Sequence, residues 1–190
     1  MTKKLLILAS SPRIKGNSTT LAARAGESAQ AAGLEVEIVH LSRLKIKPCF
    51  ACDRCRESQD YCILKDDMHE IYSRLLAADA LLLASPIYWF TYCGQLKCCV
   101  DRWYGLWHSR PDFLQGKPAG IVLAYEDATL DSSGGINAVH SLESTLTYVG
   151  ADYLGCVHGS LNAVGDAQKN PDLMESASQL GKKLAAAVLK

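Results

Sequence analysis

Apolar and polar residues recur along the chain with two spacings, and the first of these predicts strands. Residues 5–9, 80–84 and 120–125 are almost continuously apolar, which is typical of strands that are buried on both faces. Residues 34–41 instead alternate between apolar and charged side chains, and residues 152–161 are mixed in character. We therefore predict five strands, with the second and the fifth at the edges of the sheet.

The second spacing, of three to four residues, predicts helices between these strands. In one helix, Lys97, Asp101 and Arg102 lie off the apolar face. The last helix is expected to begin with Asn170 as its N-cap and Pro171 at its first position. The helical segments are residues 21–32, a segment that starts at Asp66 and Asp67 and carries Ile71 and Leu75, and residues 96–107, 139–149 and 173–184.

The repeated alternation of strand and helix predicts an α/β fold, a parallel sheet between two layers of helices. With the second and fifth strands at the edges, the strand order is 2-1-3-4-5. The order reverses between strands one and three, so a ligand crevice is expected at the carboxyl ends of these strands. No linker or internal repeat divides the chain, and we predict one domain over residues 1–190 with a Cys-rich loop at about 43–65.

Composition narrows the class of protein. The 20 Lys and Arg residues balance 20 Asp and Glu residues, which argues against broad electrostatic binding to nucleic acid or to a membrane surface. No apolar run approaches the roughly 18 residues that a membrane-spanning helix needs. The 8 cysteines occur without a secretory signal pattern, which favours reduced thiols, metal ligands or redox chemistry over disulfides, so we expect a cytoplasmic protein.

The loop between the first strand and the first helix has the composition of an anion site. Free N–H groups and the dipole at a helix N-terminus attract negative charge. Gly16 can adopt positive φ, and polar side chains are supplied by Ser11, Arg13, Asn17, Ser18 and Thr19. An ordinary capped helix start is the alternative. The loop has neither a Walker A nor a Gly-x-Gly-x-x-Gly sequence, so a monophosphate held without magnesium fits it best.

Aromatic residues follow the third predicted strand directly, at the same edge of the sheet. Because this strand order usually binds flavin mononucleotide (FMN), we expect the segment to lie against a planar flavin ring. The alternative is a Pro-bent loop whose aromatics cap the core or contact another subunit. Tyr125 ends the fourth strand at the same rim, where it either approaches the ring or is an ordinary loop residue. The segment consists of Pro86, Ile87, Tyr88, Trp89 and Phe90.

A compact cysteine motif is the strongest chemical signal in the chain. Cys49, Cys52, Cys55 and Cys62 have the spacing Cys-x2-Cys-x2-Cys-x6-Cys, which allows four thiolates to bind one [4Fe–4S] cluster. Structural zinc is one alternative, although such sites usually have two Cys-x2-Cys pairs separated by a longer spacer. Plain thiols, or a cluster that has been lost, are the other alternative.

On these residues the chain resembles the iron–sulfur flavoproteins of the flavodoxin-like superfamily, relatives of the NADPH-dependent FMN reductases. The cysteine motif is the most specific part of the resemblance. Ser10 is a departure, since the family usually has Gly at that position. The matching segments are residues 11–13, 16–18, 66–68, 85–88, 96–97 and 101–102 together with the four cysteines.

The resemblance implies a flavodoxin-like three-layer sandwich, FMN on the residues of the loop and the aromatic segment, and a [4Fe–4S] cluster on the four cysteines. It also implies a homodimer or homotetramer. The aromatic residues around positions 88–92 and 103–107 would suit burial against a partner subunit.

The resulting hypothesis is an oxidoreductase that converts between one-electron and two-electron transfer. A ferredoxin-like protein or NAD(P)H donates the electrons and a small molecule accepts them, and no side-chain acid, base or nucleophile is required. The alternative enzyme is a cluster-free NAD(P)H-dependent FMN or quinone reductase. The non-enzymatic alternative is a zinc-holding module that binds another phosphate ligand, while a plain flavodoxin carrier is disfavoured by the near-zero net charge.

Overall fold

A parallel sheet forms the centre of the protein, as a computed structural model describes it for residues 2–58 and 60–190. The strands are β1 (Lys4–Ala9), β2 (Glu35–His40), β3 (Ala80–Tyr88), β4 (Thr91–Tyr92), β5 (Pro118–Tyr125) and β6 (Asp152–Ser160). The five parallel strands lie in the order β2-β1-β3-β5-β6, as the hydrophobic pattern predicts. The sheet has one more strand than predicted, because the short β4 pairs antiparallel with the end of β3.

Helices cover both faces of this sheet. They are α1 (Asn17–Ala31), α2 (Met68–Ala77), α3 (Gly94–Asp101), α4 (Trp103–Ser109), α5 (Gly135–Tyr148) and α6 (Pro171–Val188). The helix predicted to start at residue 21 already begins at Asn17, and the helix predicted over residues 96–107 is divided at Arg102 into α3 and α4. The N-cap prediction for α6 is confirmed, since the Asn170 side chain accepts a hydrogen bond from the Leu173 N–H.

The core has two parts, one on each face of the sheet. Alternate residues of β1 point to opposite faces, so that Leu6 and Leu8 pack against α2 to α5, whereas Leu5 and Ile7 pack against α1 and α6. This explains why the central strands are apolar throughout, while β2 and β6 at the edges are only partly buried. In residues 2–58 and 60–190, no helix is both long and apolar enough to cross a membrane.

The strand register brings three connecting segments to one edge of the sheet. Ala9, Ala84 and His40 are level with one another at or near the carboxyl ends of β1, β3 and β2. The loop after β1 leads into α1, the end of β3 leads into the hairpin with β4, and the segment after β2 carries the four cysteines. The candidate chemistry therefore lies at the edge where ligands of such sheets bind.

Candidate cofactor sites

The loop after β1 lines a cleft at the expected crevice. The cleft has a volume of about 170 Å³ and is lined by Ser11, Arg13, Gly16, Asn17 and Ser18 on this side. The first helical hydrogen bond of α1 runs from the Thr20 N–H to the Gly16 carbonyl at 2.9 Å, so the N–H groups before Thr20 precede the helical ladder. Thr19 does not line the cleft, but its Oγ1 is buried and has no hydrogen-bond partner in the described chain.

Gly16 is required for its size and not for its backbone angles. Gly16 does not use the positive φ that it could adopt, since it has φ −68° and ψ 158° as the N-cap of α1. A Cβ at this position would lie 2.7 Å from Ser11 Oγ and 2.9 Å from the Arg13 carbonyl oxygen. The tight loop therefore leaves room for glycine only.

Asn17 builds a third wall of the cleft that the sequence did not reveal. Its Nδ2 donates to the Ala163 carbonyl at 2.9 Å, and its Oδ1 accepts from the Ala167 N–H at 3.2 Å. The side chain is thus engaged with the segment after β6, which lines the cleft through Leu161, Asn162 and Val164. Asn17 shapes the cleft by holding this segment in place.

The hairpin between β3 and β4 forms the opposite wall. Pro86, Ile87 and Tyr88 line the same cleft as the loop after β1. Trp89 and Phe90 form the turn and line an adjoining cleft together with Ile87 and Tyr125, so they do not reach the first cleft. The structure therefore brings together most of the predicted aromatic segment and separates its tip.

The tip of this hairpin has a strained backbone. Trp89 and Phe90 have φ values of 47° and 66°, in the left-handed region that bulky residues avoid. Two contacts stabilise it: Asn137 Nδ2 donates to the Phe90 carbonyl at 3.2 Å, and Gly134 packs so closely that a Cβ there would overlap Phe90. Trp89 is 92% exposed and Phe90 56%, and strain of this kind is often found at ligand sites.

Tyr125 borders both clefts, and its hydroxyl is paired with His158. The distance from the hydroxyl oxygen to His158 Nδ1 is 3.0 Å, and burial raises the pKa of Tyr125 above its usual value. His158 lies on β6, and no spacing in the sequence connects it with Tyr125. This pair was therefore not foreseen.

A buried polar cluster joins the two walls from behind. The Cys93 thiol donates to Ser10 Oγ at 3.1 Å, and the Cys93 N–H donates to Ser85 Oγ at 3.0 Å. Ser10 Oγ also donates to the Ala84 carbonyl at 2.8 Å. Ser10, the departure noted in the sequence, is thus held inside the core directly after β1.

The four cysteines of the motif line one cavity. It is bordered by Cys49, Cys52, Cys55 and Cys62. Burial raises the pKa of the Cys55 thiol, and the nearby thiols of the other three raise it further. In the part of the chain that is described, however, no three His, Cys, Asp or Glu side chains form a group that could hold a metal ion as they stand.

Backbone strain in the described chain is concentrated in the cysteine loop and the aromatic hairpin. Besides Trp89 and Phe90, the non-glycine residues with positive φ are Ala51, Asp53 and Tyr61, all between the first and last cysteine of the motif. Left-handed backbone at such residues costs of order 1–3 kcal/mol each and clusters at ligand sites. These two segments are therefore the places where local stability is given up for a particular shape.

The two ends of the cysteine loop are fixed by a buried ion pair. Arg102 and Asp66 lie 2.9 Å apart with side chains 1% and 4% exposed, and Arg102 also donates to the carbonyls of Lys47 and Leu64 at 3.0 and 3.4 Å. From the sequence, Arg102 was predicted to lie off the apolar helix face and belonged to one of the segments that match the resembling family, but its burial was not predicted. Its Nε is buried without a partner in the described chain, a state that costs about 1–3 kcal/mol unless an acceptor is present.

The aromatic residues near positions 88–92 and 103–107 divide between surface and core. Tyr88 and Tyr104 are exposed, as expected of a contact surface, but Tyr92 and Trp103 are 5% and 2% exposed. The expectation is wrong for these two residues, because Tyr92 faces the core from β4 and Trp103 packs edge-on against Phe113.

The fold and the cleft define a class of protein, namely flavodoxin-like α/β proteins. A flavodoxin from the domain Archaea superimposes with a TM-score of 0.63 over all of both chains at 14% identity. The sequence model of the NADPH-dependent FMN reductase family matches residues 3–164 of this chain. The chain belongs to this family and is an FMN-dependent oxidoreductase.

Two curated relatives cover nearly the whole chain. An iron–sulfur flavoprotein of Methanocaldococcus jannaschii is 33% identical over 97% of this chain and 97% of its own length. A putative NAD(P)H-dependent FMN-containing oxidoreductase of Bacillus subtilis is 28% identical over 95% of this chain and 97% of its own. Matches to three further curated iron–sulfur flavoproteins span about half the length of each.

Proposed function

We propose that the cleft binds FMN with its phosphate on the loop after β1. The N–H groups at the start of α1, the hydroxyls of Ser11 and Ser18 and the guanidinium of Arg13 supply donors for a phosphate. Thr19 does not line the cleft itself and is proposed as a further donor from the start of α1. The buried Thr19 Oγ1, which lacks a partner, supports this assignment because a buried hydroxyl is normally satisfied. Asn17 contributes by fixing the segment after β6.

The flavin ring is assigned to the space between the hairpin and Tyr125. Pro86, Ile87 and Tyr88 form the wall next to the phosphate loop, while Trp89 and Phe90 shield the outer end at the adjoining cleft. FMN, when bound, exchanges electrons either singly or as a hydride. The residues of the cleft orient the ring and exclude water from one side of it, and no side chain is assigned as acid or base.

The four cysteines are proposed to hold a [4Fe–4S] cluster, which exchanges one electron at a time. Three observations support a fit to this group: the thiols border one cavity, the Ala51 N–H donates to Cys49 Sγ at 3.4 Å, and Arg102, which borders the same cavity, has a buried Nε–H that lacks an acceptor among the described residues. Thiols on a cubane each bind a different iron and need not converge on one ion. Polar and charged neighbours of this kind tune such clusters.

The electron donor is proposed to be a ferredoxin-like protein or NAD(P)H, and the acceptor a small molecule. The single observation that carries the proposal is the position of both sites at one edge of the sheet, on segments that follow the paired ends of β1 and β2. The free state of all eight cysteines agrees with a reducing, cytoplasmic setting.

An anaerobic preparation tests this proposal directly. The protein is assayed for FMN, iron and acid-labile sulfide, and near-stoichiometric FMN with about four irons per chain is expected for a complete cluster. Cys52→Ser should remove the iron and keep the FMN, whereas Cys98→Ser, outside the motif, should keep both. Loss of FMN together with iron in Cys52→Ser would contradict two separate sites.

A second candidate function is a cluster-free NAD(P)H-dependent FMN or quinone reductase. It is favoured by the family that the chain belongs to and by the exposed Cys49, which leaves the motif open to solvent on one side. Stopped-flow mixing distinguishes the two candidates. Rapid bleaching of the flavin by NADPH in iron-free protein favours the reductase, and bleaching that needs iron and a reduced ferredoxin favours the iron–sulfur protein.

We also propose that the chain acts as a homodimer or homotetramer of single domains. The hairpin tip exposes two large apolar side chains, Trp89 and Phe90, next to the clefts. A contiguous apolar surface of this kind usually contacts another protein. Light scattering coupled to size-exclusion chromatography measures the assembly.

A further inference from the structure

Arg102, a buried arginine, lines the same cavity as the four cysteines of the motif. Arg102 is 2% exposed and borders this cavity. A desolvated cation is strongly destabilising unless acceptors or anions surround it. An N–H donor of Arg102 that has no acceptor within the protein would therefore indicate that a ligand of the cavity supplies one.

Four of the five N–H donors of this guanidinium are in use. Nη1 donates to the Lys47 carbonyl at 3.0 Å and to Asp66 Oδ2 at 2.9 Å. Nη2 donates to Asp66 Oδ1 at 3.1 Å and to the Leu64 carbonyl at 3.4 Å. The fifth donor, Nε–H, is buried and has no partner among residues 2–58 and 60–190. Since the guanidinium is planar and held on its other edges, Nε–H cannot turn towards another acceptor.

Resting on the proposed [4Fe–4S] site, we propose that Arg102 tunes the cluster through its Nε–H and its charge. Nε–H donates to a cluster sulfide or to a cysteine sulfur that binds the cluster, and the cation stabilises the reduced form. Reduction by the proposed ferredoxin-like donor, or by dithionite in the test below, would add one electron to the cluster and break no bond; the added negative charge would be favoured by the buried Arg102 cation.

Asp66 acts in the opposite direction. Its carboxylate faces the same guanidinium at 2.9 Å and offsets part of its charge. Removing the charge of Asp66 therefore strengthens the field of the cation at the cluster, whereas removing the Nε–H of Arg102 weakens the interaction. If the two substitutions acted only by loosening the fold, they would not shift the reduction potential of the cluster in opposite directions.

The first test uses the unaltered sequence. The full chain is prepared anaerobically with arginine that carries ¹⁵N only at Nε, so that the backbone nitrogens of Arg54 and Arg56 beside Cys55 are unlabelled, and the cluster is reduced with dithionite and examined by pulsed electron paramagnetic resonance. A resolved ¹⁵N coupling to the reduced cluster is expected, and it should vanish in Arg102→Lys but persist in Arg56→Lys. Arg56 is a suitable control because it also lies in the cysteine loop, where it is exposed and bonded to the Tyr104 hydroxyl. A cluster without any ¹⁵N coupling would overturn the inference.

The second test is a dithionite titration of the cluster with redox mediators. We expect Arg102→Lys to lower the equilibrium constant for reduction about tenfold, a shift of about 59 mV for one electron, and Asp66→Asn to raise it. Potentials equal to that of the unaltered protein, or shifts of both variants in the same direction, contradict the inference. Should either variant lose its iron, the ¹⁵N measurement decides alone. Unaltered protein that contains no iron would refute the proposed cluster itself, a result separable from any effect of Arg102.

Discussion

Single side chains decide the shape of the proposed phosphate site. Gly16 is needed because Ser11 Oγ and the Arg13 carbonyl occupy the space that a Cβ would take. Asn17, by contrast, acts at a distance through its bonds to residues 163 and 167. The shape of the loop therefore depends on the missing side chain of Gly16 as much as on the polar groups of its neighbours.

Gly16→Ala is expected to weaken FMN binding about tenfold or more, which corresponds to ~1.4 kcal/mol or more. The added methyl group must push apart Ser11 and the Arg13 carbonyl, which lie 2.7 and 2.9 Å from its position. Fluorescence titration of the FMN-free protein measures the dissociation constant.

Gly94→Ala is the matched control for this variant, because a Cβ at Gly94 meets nothing within 4 Å. It should bind FMN as the unaltered protein does, with a melting temperature at least as high, since alanine favours the helix. Equal affinity of Gly16→Ala and the unaltered chain would refute the proposed phosphate site.

Residue types alone could predict where the candidate site lies but not all of its geometry. Ser11, Arg13 and Ser18 were predictable because their position between an apolar strand and a helix determines where they lie. The pairs Tyr125–His158 and Arg102–Asp66 were not, since their partners are 33 and 36 residues apart and meet only in the folded chain. A charged residue such as Arg102 is normally exposed, and only its tertiary partner makes its burial favourable.

At the scale of elements, the cysteine loop is held by its ends and strained in its middle. Asp66 accepts from the Lys47 N–H at 2.9 Å, and Asp67 Oδ2 accepts from the Lys45 N–H at 2.6 Å. The helix α4 closes against the loop at Gly105, where a Cβ would overlap the Tyr61 carbonyl. The loop therefore depends on α2, α3 and α4 for its position.

Asp66→Asn is expected to destabilise the protein by about 3 kcal/mol near pH 7, since it leaves a buried cation without its anion. Burial acts to raise the pKa of Asp66, but hydrogen bonds from Arg102 and the Lys47 N–H and the charge of Arg102 lower it overall. The contribution of the pair is thus fully present above the unfolded-state pKa, ~3.9, and is lost as the pH falls through the lower folded-state pKa. Urea unfolding from pH 7 downwards should show the difference shrinking below about pH 4.

The exposed pair Lys97–Asp101 provides the comparison, with side chains 55% and 40% exposed. Asp101→Asn should cost less than about 1 kcal/mol at any pH, as is usual for surface ion pairs. If Asp66→Asn behaved like Asp101→Asn, the buried pair would not be what fixes the loop.

The central strands could be predicted from the sequence because their burial leaves a clear hydrophobic pattern. The strands β1, β3 and β5 are apolar because helices cover both of their faces, which makes them easy to recognise. The hairpin between β3 and β4 was not predicted. The strand β4 has only two residues, and the turn before it consists of Trp89 and Phe90 in place of the usual Asn and Gly. Its conformation is imposed by Gly134 and Asn137, which lie more than 40 residues away in sequence.

For the whole molecule, the parallel sheet gathers three segments at one edge and leaves the apolar hairpin tip at the surface. Trp89 is 92% exposed, although a side chain of this type is rarely left in water without a role. The proposed assembly would cover it.

Trp89→Ser is expected to weaken self-association at least about tenfold, as is typical of a tryptophan at the centre of an interface. Sedimentation equilibrium gives the dissociation constant. Tyr148→Ser, which removes an aromatic residue 72% exposed on α5, serves as the control and should leave assembly unchanged. If Trp89→Ser assembles as the unaltered protein does, the hairpin tip is not the contact between subunits.

The closely spaced ends of the cysteine loop have a consequence for how the loop can evolve. The Lys45 and Lys47 N–H groups donate to Asp67 and Asp66, so the two ends of the loop lie close enough for a short turn to join them. A lineage could therefore gain or lose the proposed cluster site in one genetic event while the sheet stays intact.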